Sequence, residues 1–176
     1  MKNIVLIGMP GTGKSSVGVI LAKHIGYAFM DTDIELVRRT GRTLPRILRE
    51  DGLERFLEME GETGLAVQCE NTVIATGGSM VFSENAMQHL CESGVVIWLE
   101  TPVETLEARL TGGSRERRGV AAPGDMSIRD IYALREPLYT KYAQIRIACQ
   151  DGVENVVGDI ILKLREIDMI GAEQAE

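Results

Sequence analysis

The sequence predicts an α/β fold in which five parallel strands form one sheet with helices on both faces. Short apolar runs alternate along the chain with longer segments whose apolar residues recur at helical spacing, and this order of elements is typical of a parallel sheet. The chain has 176 residues, of which 44% are apolar, so it is long enough to bury one core and too short for two comfortable ones. We therefore expect a single domain.

Each element is placed by its apolar spacing and by the turn residues around it. The five strand-like runs lie at residues 3–7, 28–30, 73–75, 95–99 and 144–149. The helical patterns lie between and after them, at residues 14–25, 34–40, 43–51, 53–69, 83–93, 102–110, 127–142 and 153–169. Residues 111–125 are rich in glycine and charge and lack a periodic pattern, which favours a loop, and its arginines make it a candidate lid.

The first strand leads directly into a glycine-rich loop. Residues 8–15 read Gly-Met-Pro-Gly-Thr-Gly-Lys-Ser and match the phosphate-binding pattern Gly-x-x-x-x-Gly-Lys-Ser/Thr at every defined position. In that setting the backbone N–H groups of the loop point at the phosphates, the lysine reaches the β- and γ-phosphates, and the serine hydroxyl binds Mg²⁺. The motif predicts binding of ATP or GTP with Mg²⁺, through Gly11, Thr12, Gly13, Lys14, Ser15 and Ser16.

Two carboxylates follow the second predicted strand. Ligands of open α/β sheets bind at the carboxyl ends of the strands, where Asp31 and Asp33 stand. Because strand side chains alternate, the two are expected to share a direction, so that one can serve Mg²⁺ through water and the other can accept a proton from an attacking hydroxyl. In an alternative interpretation, Asp33 only caps the helix that follows it.

Charge and cysteine content exclude several classes of protein. The net charge of −7 disfavours a nucleic-acid surface or an anionic membrane as a partner, and no apolar stretch approaches membrane-spanning length. The three cysteines are widely spaced and adjoin apolar sequence or a helix end, which favours buried thiols over disulfides or zinc ligands. No signal peptide is recognisable. We expect a cytoplasmic, monomeric enzyme that acts on a small molecule.

Several motifs together resemble the shikimate kinase family, which belongs to the P-loop proteins that are similar to nucleoside-monophosphate kinases. The resemblance runs from about Ile4 to Leu164. It is carried by the phosphate loop with Gly18, Met30-Asp-Thr-Asp33, Arg39-Thr-Gly-Arg42, Asp51-Gly52 with Phe56 and Glu60, Ala75-Thr-Gly-Gly78, Thr111-Gly-Gly113 and Arg135-Glu-Pro-Leu-Tyr139. It implies the strand order 2-3-1-4-5, a substrate-binding helical region at residues 34–70 and a lid at residues 111–125.

The resemblance also implies roles for individual residues of the acceptor site. Asp33 resembles the carboxylate that holds the acceptor's hydroxyls and serves as base. Gly77 and Gly78 resemble the backbone that approaches the substrate, since glycine N–H groups come close to a ligand without a Cβ in the way; a plain turn at the end of the strand is the alternative. Arg135 resembles the arginine that grips the substrate carboxylate, although a solvated surface arginine would fit the sequence as well.

On the nucleotide side, Asp31 resembles the water-mediated partner of Mg²⁺. Arg117 resembles the lid arginine that neutralises the transferring phosphate, with Arg115 and Arg118 as close competitors for that role. The adenine is expected near Arg109 and the segment after Cys149.

Three positions depart from the family pattern. Leu57 stands where the family usually has an arginine, Ser79 replaces a third glycine, and the lid sequence Arg-Pro-Leu becomes Arg117-Arg118-Gly119. The loss of one arm of a carboxylate clamp should cost about 1.5–3 kcal/mol. Arg55 is a possible substitute, but on a helix it points about 200° away from position 57.

These observations predict an ATP-dependent kinase of a small hydroxylated carboxylate, with shikimate as the expected acceptor. A zwitterionic acceptor such as L-homoserine is the alternative, because Glu54, Glu58 and Glu60 lie near the missing arginine and one of them could pair with an ammonium group. Those glutamates could instead simply solvate a helix face. A nucleotide-binding module without phosphoryl transfer is less consistent with the sequence, since the phosphate-handling residues all remain.

Overall fold

The computed structural model describes residues 2–110, 120–123, 126–150 and 152–171. Five parallel strands form one sheet in the order β2-β3-β1-β4-β5, which confirms the predicted fold class and strand order. The strands are β1 (Asn3–Ile7), β2 (Ala28–Asp31), β3 (Thr72–Ala75), β4 (Gly94–Glu100) and β5 (Ile145–Ala148).

Helices connect the strands and cover both faces of the sheet. They are α1 (Lys14–Ile25), α2 (Thr32–Thr40), α3 (Leu44–Leu65), α4 (Glu84–Ser93), α5 (Val103–Arg109), α6 (Ile128–Tyr142) and α7 (Val153–Glu166), with a short 3₁₀ turn at Met80–Phe82. The predicted break at Gly52 is present as a non-helical residue inside α3 with φ 82°. The helix before β3 ends at Leu65, four residues earlier than predicted.

The central strand β1 shows how the sheet buries two apolar faces. All five of its residues are buried, as expected for a strand covered on both sides. Ile4 and Leu6 pack in a cluster with α1 and α7, whereas Val5 and Ile7 pack in a second cluster with α4 and α6. The alternation of side chains along β1 therefore places one half of the core on each face of the sheet.

A third, smaller cluster lies away from the sheet. Leu36 of α2 and Ile47 and Phe56 of α3 pack there against Ala121, which belongs to the described part of the predicted lid. This cluster ties the helical region after β2 to the carboxyl end of the sheet. Residues 111–119 and 124–125 of the predicted lid lie outside the described residues.

Two further predictions concern the membrane and the cysteines. None of the helices in the described ranges combines the length and apolar character needed to cross a bilayer. Cys69, Cys91 and Cys149 are all free thiols, but Cys149 alone among the three is fully buried. The prediction of buried thiols is thus right for Cys149 and only partly right for the other two, which are half-buried.

Candidate active site

The phosphate loop connects β1 to α1 at the carboxyl edge of the sheet. Gly8, Gly11 and Gly13 all have positive φ, a backbone conformation that side chains disfavour. Gly8 has a second constraint, because a Cβ there would lie 2.6 Å from the carbonyl oxygen of Leu99 on the neighbouring strand. The glycines of the motif are therefore required by the backbone path of the loop.

Lys14 is the first residue of α1 and is almost fully buried, at 8% exposure. Its Nζ donates to the carbonyl oxygens of Gly8, at 2.8 Å, and Met9, at 2.9 Å. Burial lowers the pKa of Lys14 to about 8, against the opposing effect of the Asp33 carboxylate. The ammonium is thus held inside the loop, in reach of phosphate groups bound to it.

Ser15 and Asp31 meet beside the loop. The Ser15 hydroxyl donates to Asp31 Oδ2 at 2.6 Å, so the two predicted magnesium ligands lie together. Both are hard oxygen donors, which is the chemistry that Mg²⁺ prefers, and the pair fits that ion. The other carboxylate oxygen of Asp31 accepts from the backbone N–H groups of Asp33 and Ile34 and caps α2. The capping role that the sequence offered for Asp33 therefore belongs to Asp31.

Asp33 lies in the first turn of α2, because β2 ends at Asp31. The prediction that Asp31 and Asp33 point the same way along one strand is therefore wrong. Asp33 still reaches the same space: it lines a cavity together with Lys14 and Ser15. The pKa of Asp33 is raised to about 6, mainly by burial and also by the charge of Asp31, against the opposing effect of Lys14. A carboxylate with that pKa is ionised at neutral pH and can still accept a proton readily.

This cavity has a volume of about 340 Å³ and lies between the phosphate loop, α2, α3 and α6. Its walls combine phosphate-loop residues with polar and charged side chains from the later elements: Pro10, Gly11, Gly13, Lys14, Ser15, Ser16, Asp33, Leu44, Phe56, Glu60, Thr76, Gly78, Ser79, Ala121 and Arg135. The volume suits a small metabolite, and one end of the cavity is the phosphate loop itself.

Arg135 projects from α6 into the cavity and is 1% exposed. Its Nη2 donates to the carbonyl oxygen of Ala121 at 2.6 Å. Its Nε and Nη1 are buried and form no hydrogen bond with the described residues. Buried donors without partners are rare in folded proteins, and a charged group in that state indicates a site for an anion. The alternative of a solvated surface arginine is therefore wrong for Arg135.

The turn after β3 forms another wall. Gly77 N–H donates to Thr32 Oγ1 at 3.0 Å, and the carbonyl of Gly78 accepts from the Tyr139 hydroxyl at 2.8 Å. A Cβ on Gly77 would overlap the Glu60 carboxylate, and one on Gly78 would lie 2.6 Å from Pro10 Cδ. Both positions therefore require glycine because Glu60 and Pro10 pack closely against them. The alternative of a plain turn at the end of the strand does not explain this requirement.

Glu60 is one of three glutamates that the sequence placed near the site without showing which of them enters it. It is 2% exposed and lines the cavity, whereas its neighbour Glu58 lies on the surface and pairs with Arg55 at 2.8 Å. Glu60 accepts a hydrogen bond from the Ser79 hydroxyl. The spacing of Glu60 four residues after Phe56, which is also buried, is the one signal that could have placed it on the inner face of α3. Solvation of a helix face is therefore a correct interpretation for Glu58 but not for Glu60.

Leu57 does not face this cavity. It lines a separate apolar groove of about 140 Å³, which shares Ala121 and Arg135 with the cavity wall. Arg55 points to the surface, where it bonds Glu58 and Glu62, so it does not replace the missing arginine. Of the other departures, Ser79 lies in the cavity and Gly119 lies outside the described residues.

A second polar pocket of about 330 Å³ adjoins the other side of the phosphate loop. Its lining includes Arg109 and Cys149, near which the sequence predicts the adenine, a prediction that stays untested. The other lining residues are Gly11, Thr12, Gly13, Ser16, Val17, Gln150, Gly152, Val153 and Val156. Arg109 Nη1 donates to the carbonyl of Gly11 at 3.0 Å, which connects α5 to the loop. Arg117, predicted as the lid arginine, and its competitors Arg115 and Arg118 lie outside the described residues.

Comparison with known proteins identifies the family of this chain. Residues 10–165 match the family model "Shikimate kinase". A shikimate kinase of Symbiobacterium thermophilum is 38% identical over 169 residues, which cover 93% of this chain and 97% of that protein. Among solved structures, shikimate kinase from Acinetobacter baumannii in complex with shikimate has a TM-score of 0.82 at 27% identity over 96% of both chains. Shikimate kinase from Aquifex aeolicus has a TM-score of 0.81 at 31% identity over 96% of this chain and 99% of that one. The chain belongs to the shikimate kinase family.

Proposed function

We propose that this protein transfers the γ-phosphoryl group of ATP to a hydroxyl group of shikimate. The observation that carries the proposal is the cavity in which Lys14 and Asp33 lie at the phosphate loop. In the same cavity, Arg135 presents two buried donors that form no hydrogen bond within the described ranges. One site thereby offers a place for a phosphate, a base for a hydroxyl and a partner for a carboxylate. Shikimate carries both a carboxylate and hydroxyl groups, and it is the ligand bound in the Acinetobacter relative.

The acceptor is bound from both ends in this mechanism. Nε and Nη1 of Arg135 donate to the carboxylate, which satisfies two donors that are otherwise buried without partners. Asp33 accepts a hydrogen bond from the reacting hydroxyl and takes its proton as the oxygen attacks the γ-phosphorus. The bond from that phosphorus to the β,γ-bridging oxygen breaks at the same time, and ADP leaves.

The phosphate loop supplies the electrostatic part of catalysis. Backbone N–H groups at the start of α1 bind the phosphates, and Lys14 stabilises the charge that develops on the transferring group. Ser15 and Asp31 would hold Mg²⁺, which, when bound, neutralises part of the negative charge of the β- and γ-phosphates. We place the adenine against Arg109 and the segment after Cys149. Arg117 is assigned to the transferring phosphate by the family resemblance.

A coupled assay of ADP release tests the proposal. With Mg-ATP present, ADP should form in proportion to added shikimate, and little should form without an acceptor or with L-homoserine. Turnover with L-homoserine and not with shikimate would show that the acceptor site has changed its substrate. Nucleotide binding with no turnover on either acceptor would instead support a module without transfer activity.

Replacing Arg135 with lysine should raise the KM for shikimate by about 10- to 100-fold, while the KM for ATP changes little. Lysine keeps the charge but loses the planar pair of donors, and a hydrogen bond to a charged group is worth about 1.5–3 kcal/mol. Steady-state kinetics with each substrate varied in turn measure the effect. Arg129→Lys is the matched control, because Arg129 lies on the same helix and pairs with Glu104 at the surface. An unchanged KM for shikimate in Arg135→Lys would remove Arg135 from the acceptor site.

A further inference from the structure

A second buried carboxylate faces the acceptor cavity and has no part in the mechanism above. Glu60 lies on the inner face of α3, and its buried side chain helps to line the same cavity as Asp33 and Arg135. A group this well buried is normally paired with a cation or carries a proton. The hydrogen-bond donor that the described residues offer Glu60 is the neutral hydroxyl of Ser79.

The charges around Glu60 decide what happens when an acceptor binds. Among the described residues, the charged groups that face it are Asp33 from α2, Lys14 from α1 and Arg135 from α6, and Tyr139 of α6 is the other titratable neighbour. In the mechanism above, Lys14 serves the phosphates, so Arg135 is the cation that the described part of the chain leaves for the acceptor. An ionised Glu60 and an acceptor carboxylate would then share that single cation in a buried site, where like charges repel strongly.

A proton on Glu60 removes this conflict. The neutral carboxyl no longer competes for Arg135, and its own O–H can donate a hydrogen bond within the cavity. Ser79 is compatible with both states, because a hydroxyl can donate to a carboxylate and accept from a carboxylic acid. An arginine beside Glu60 would instead hold it ionised. The structure has no such arginine at position 57, whose leucine faces the neighbouring apolar groove.

We propose that Glu60, held by Ser79, is a specificity-determining residue that takes up a proton when the carboxylate of the acceptor binds to Arg135. The inference rests on the proposed function, since it takes shikimate as the acceptor. Protonation of Glu60 should then depend on the charges that the acceptor carries. Acceptors that carry only a carboxylate bind with proton uptake, whereas a zwitterion would keep Glu60 ionised through its ammonium group.

The electrostatics of the site are consistent with this role. The pKa of Glu60 is raised to about 7, mainly by burial and also by the negative charge of Asp33, against the opposing effects of the Ser79 hydroxyl and the charges of Arg135 and Lys14. A carboxyl with that pKa changes its protonation near neutral pH. An acceptor carboxylate raises its pKa again, so protons are taken up from solution when binding occurs at or above pH 7.

Calorimetric titration of shikimate into the free protein at pH 6 to 9 tests the proposal directly. Above pH 7 the Kd of the wild type should rise by as much as about tenfold per pH unit, because binding then requires a proton. Glu60→Gln mimics the protonated acid, so its Kd at pH 6 should match the wild-type value within about threefold. Near pH 8.5 its Kd should be more than about tenfold lower than that of the wild type. Lys14 also titrates near pH 8, and the charge of Glu60 raises its pKa, so Lys14 loses its proton at lower pH in Glu60→Gln than in the wild type. The loss of a positive charge weakens the binding of an anion, so Lys14 cannot be the cause of tighter binding by Glu60→Gln.

Two further measurements separate proton uptake from a structural effect. Titration at pH 8 in buffers of different ionisation enthalpy should show close to one more proton taken up by the wild type than by Glu60→Gln. Ser79→Ala removes a hydrogen bond that lowers the pKa of Glu60, so its rise in Kd should begin at higher pH than in the wild type. Glu58→Gln is the matched control, because Glu58 lies on the same helix with its charge at the surface, and it should behave as wild type.

Three results would contradict the proposed role of Glu60. If wild type turns over shikimate but Glu60→Gln keeps the wild-type pH dependence and proton uptake, Glu60 is not the group that titrates and the proposed function still stands. If Glu60→Gln loses shikimate affinity at pH 6 by more than tenfold, Glu60 acts on the acceptor as an anion. If wild type turns over L-homoserine and not shikimate, both proposals fail.

Discussion

Replacing Asp33 with asparagine is expected to lower kcat by about 10²- to 10⁴-fold, the usual contribution of a positioned general base. Asparagine keeps the size of the side chain and can still bind a hydroxyl, but it cannot accept the proton. The KM values for ATP and shikimate should therefore change much less than kcat. In the wild-type protein, protonation of Asp33 should remove the base in the same way. Because the pKa of Asp33 is raised to about 6, mainly by burial, kcat should fall as the pH falls through that value.

The stability of the Asp33→Asn protein distinguishes lost chemistry from lost folding. The pKa of Asp33 lies above its ordinary value of 3.8, so the ionised form is disfavoured in the folded protein, and stability is lost as the pH rises from 3.8 to about 6. Removing the charge should leave the Tm at pH 8 unchanged or higher. Glu35→Gln is the control on the same helix, since Glu35 pairs with Arg38 at the surface. A kcat near that of wild type in Asp33→Asn would assign the base to another residue.

The Lys14→Met protein should lose at least about 10²- to 10³-fold in kcat, and it should bind Mg-ATP more weakly as well. The lysine supplies a buried positive charge inside the loop, at 2.8 Å from the carbonyl of Gly8, where methionine offers similar length without charge. A buried charge of this kind stabilises the transferring phosphoryl group more strongly than one in water. Steady-state kinetics and calorimetric titration with Mg-ATP measure the two effects separately.

Lys23→Met provides the comparison for that experiment. Lys23 lies in the last turn of the same helix and is exposed, so its loss removes an equal charge far from the loop. It should leave kcat unchanged. If Lys14→Met retained substantial kcat, the charge on the γ-phosphate would have to be neutralised mainly by Mg²⁺ and the lid arginine, and Lys14 would have only a structural role in the loop.

The sequence determined the nucleotide half of this protein. The phosphate loop and its placement between β1 and α1 could be predicted, because neighbouring residues on one strand, turn and helix form it. Asp31 lies on β2, and its role beside Ser15 came from the resemblance to a family. The strand order and the roles of Asp33 and Arg135 came from the resemblance to a family, since no local pattern brings α2 and α6 to the same cavity. Their meeting depends on the order in which the five strands pair.

Only the tertiary structure decided which glutamate of α3 faces the cavity and where two of the departures, Leu57 and Ser79, lie. Glu58 and Glu60 are two positions apart, so the helix turns one to the solvent and the other into the cavity, and packing of Phe56 against the core selects which. The same packing turns Leu57 into the apolar groove. Local sequence carries the residue types and their spacing, but burial, and with it the pKa of Glu60, is a property of the elements packed around the residue.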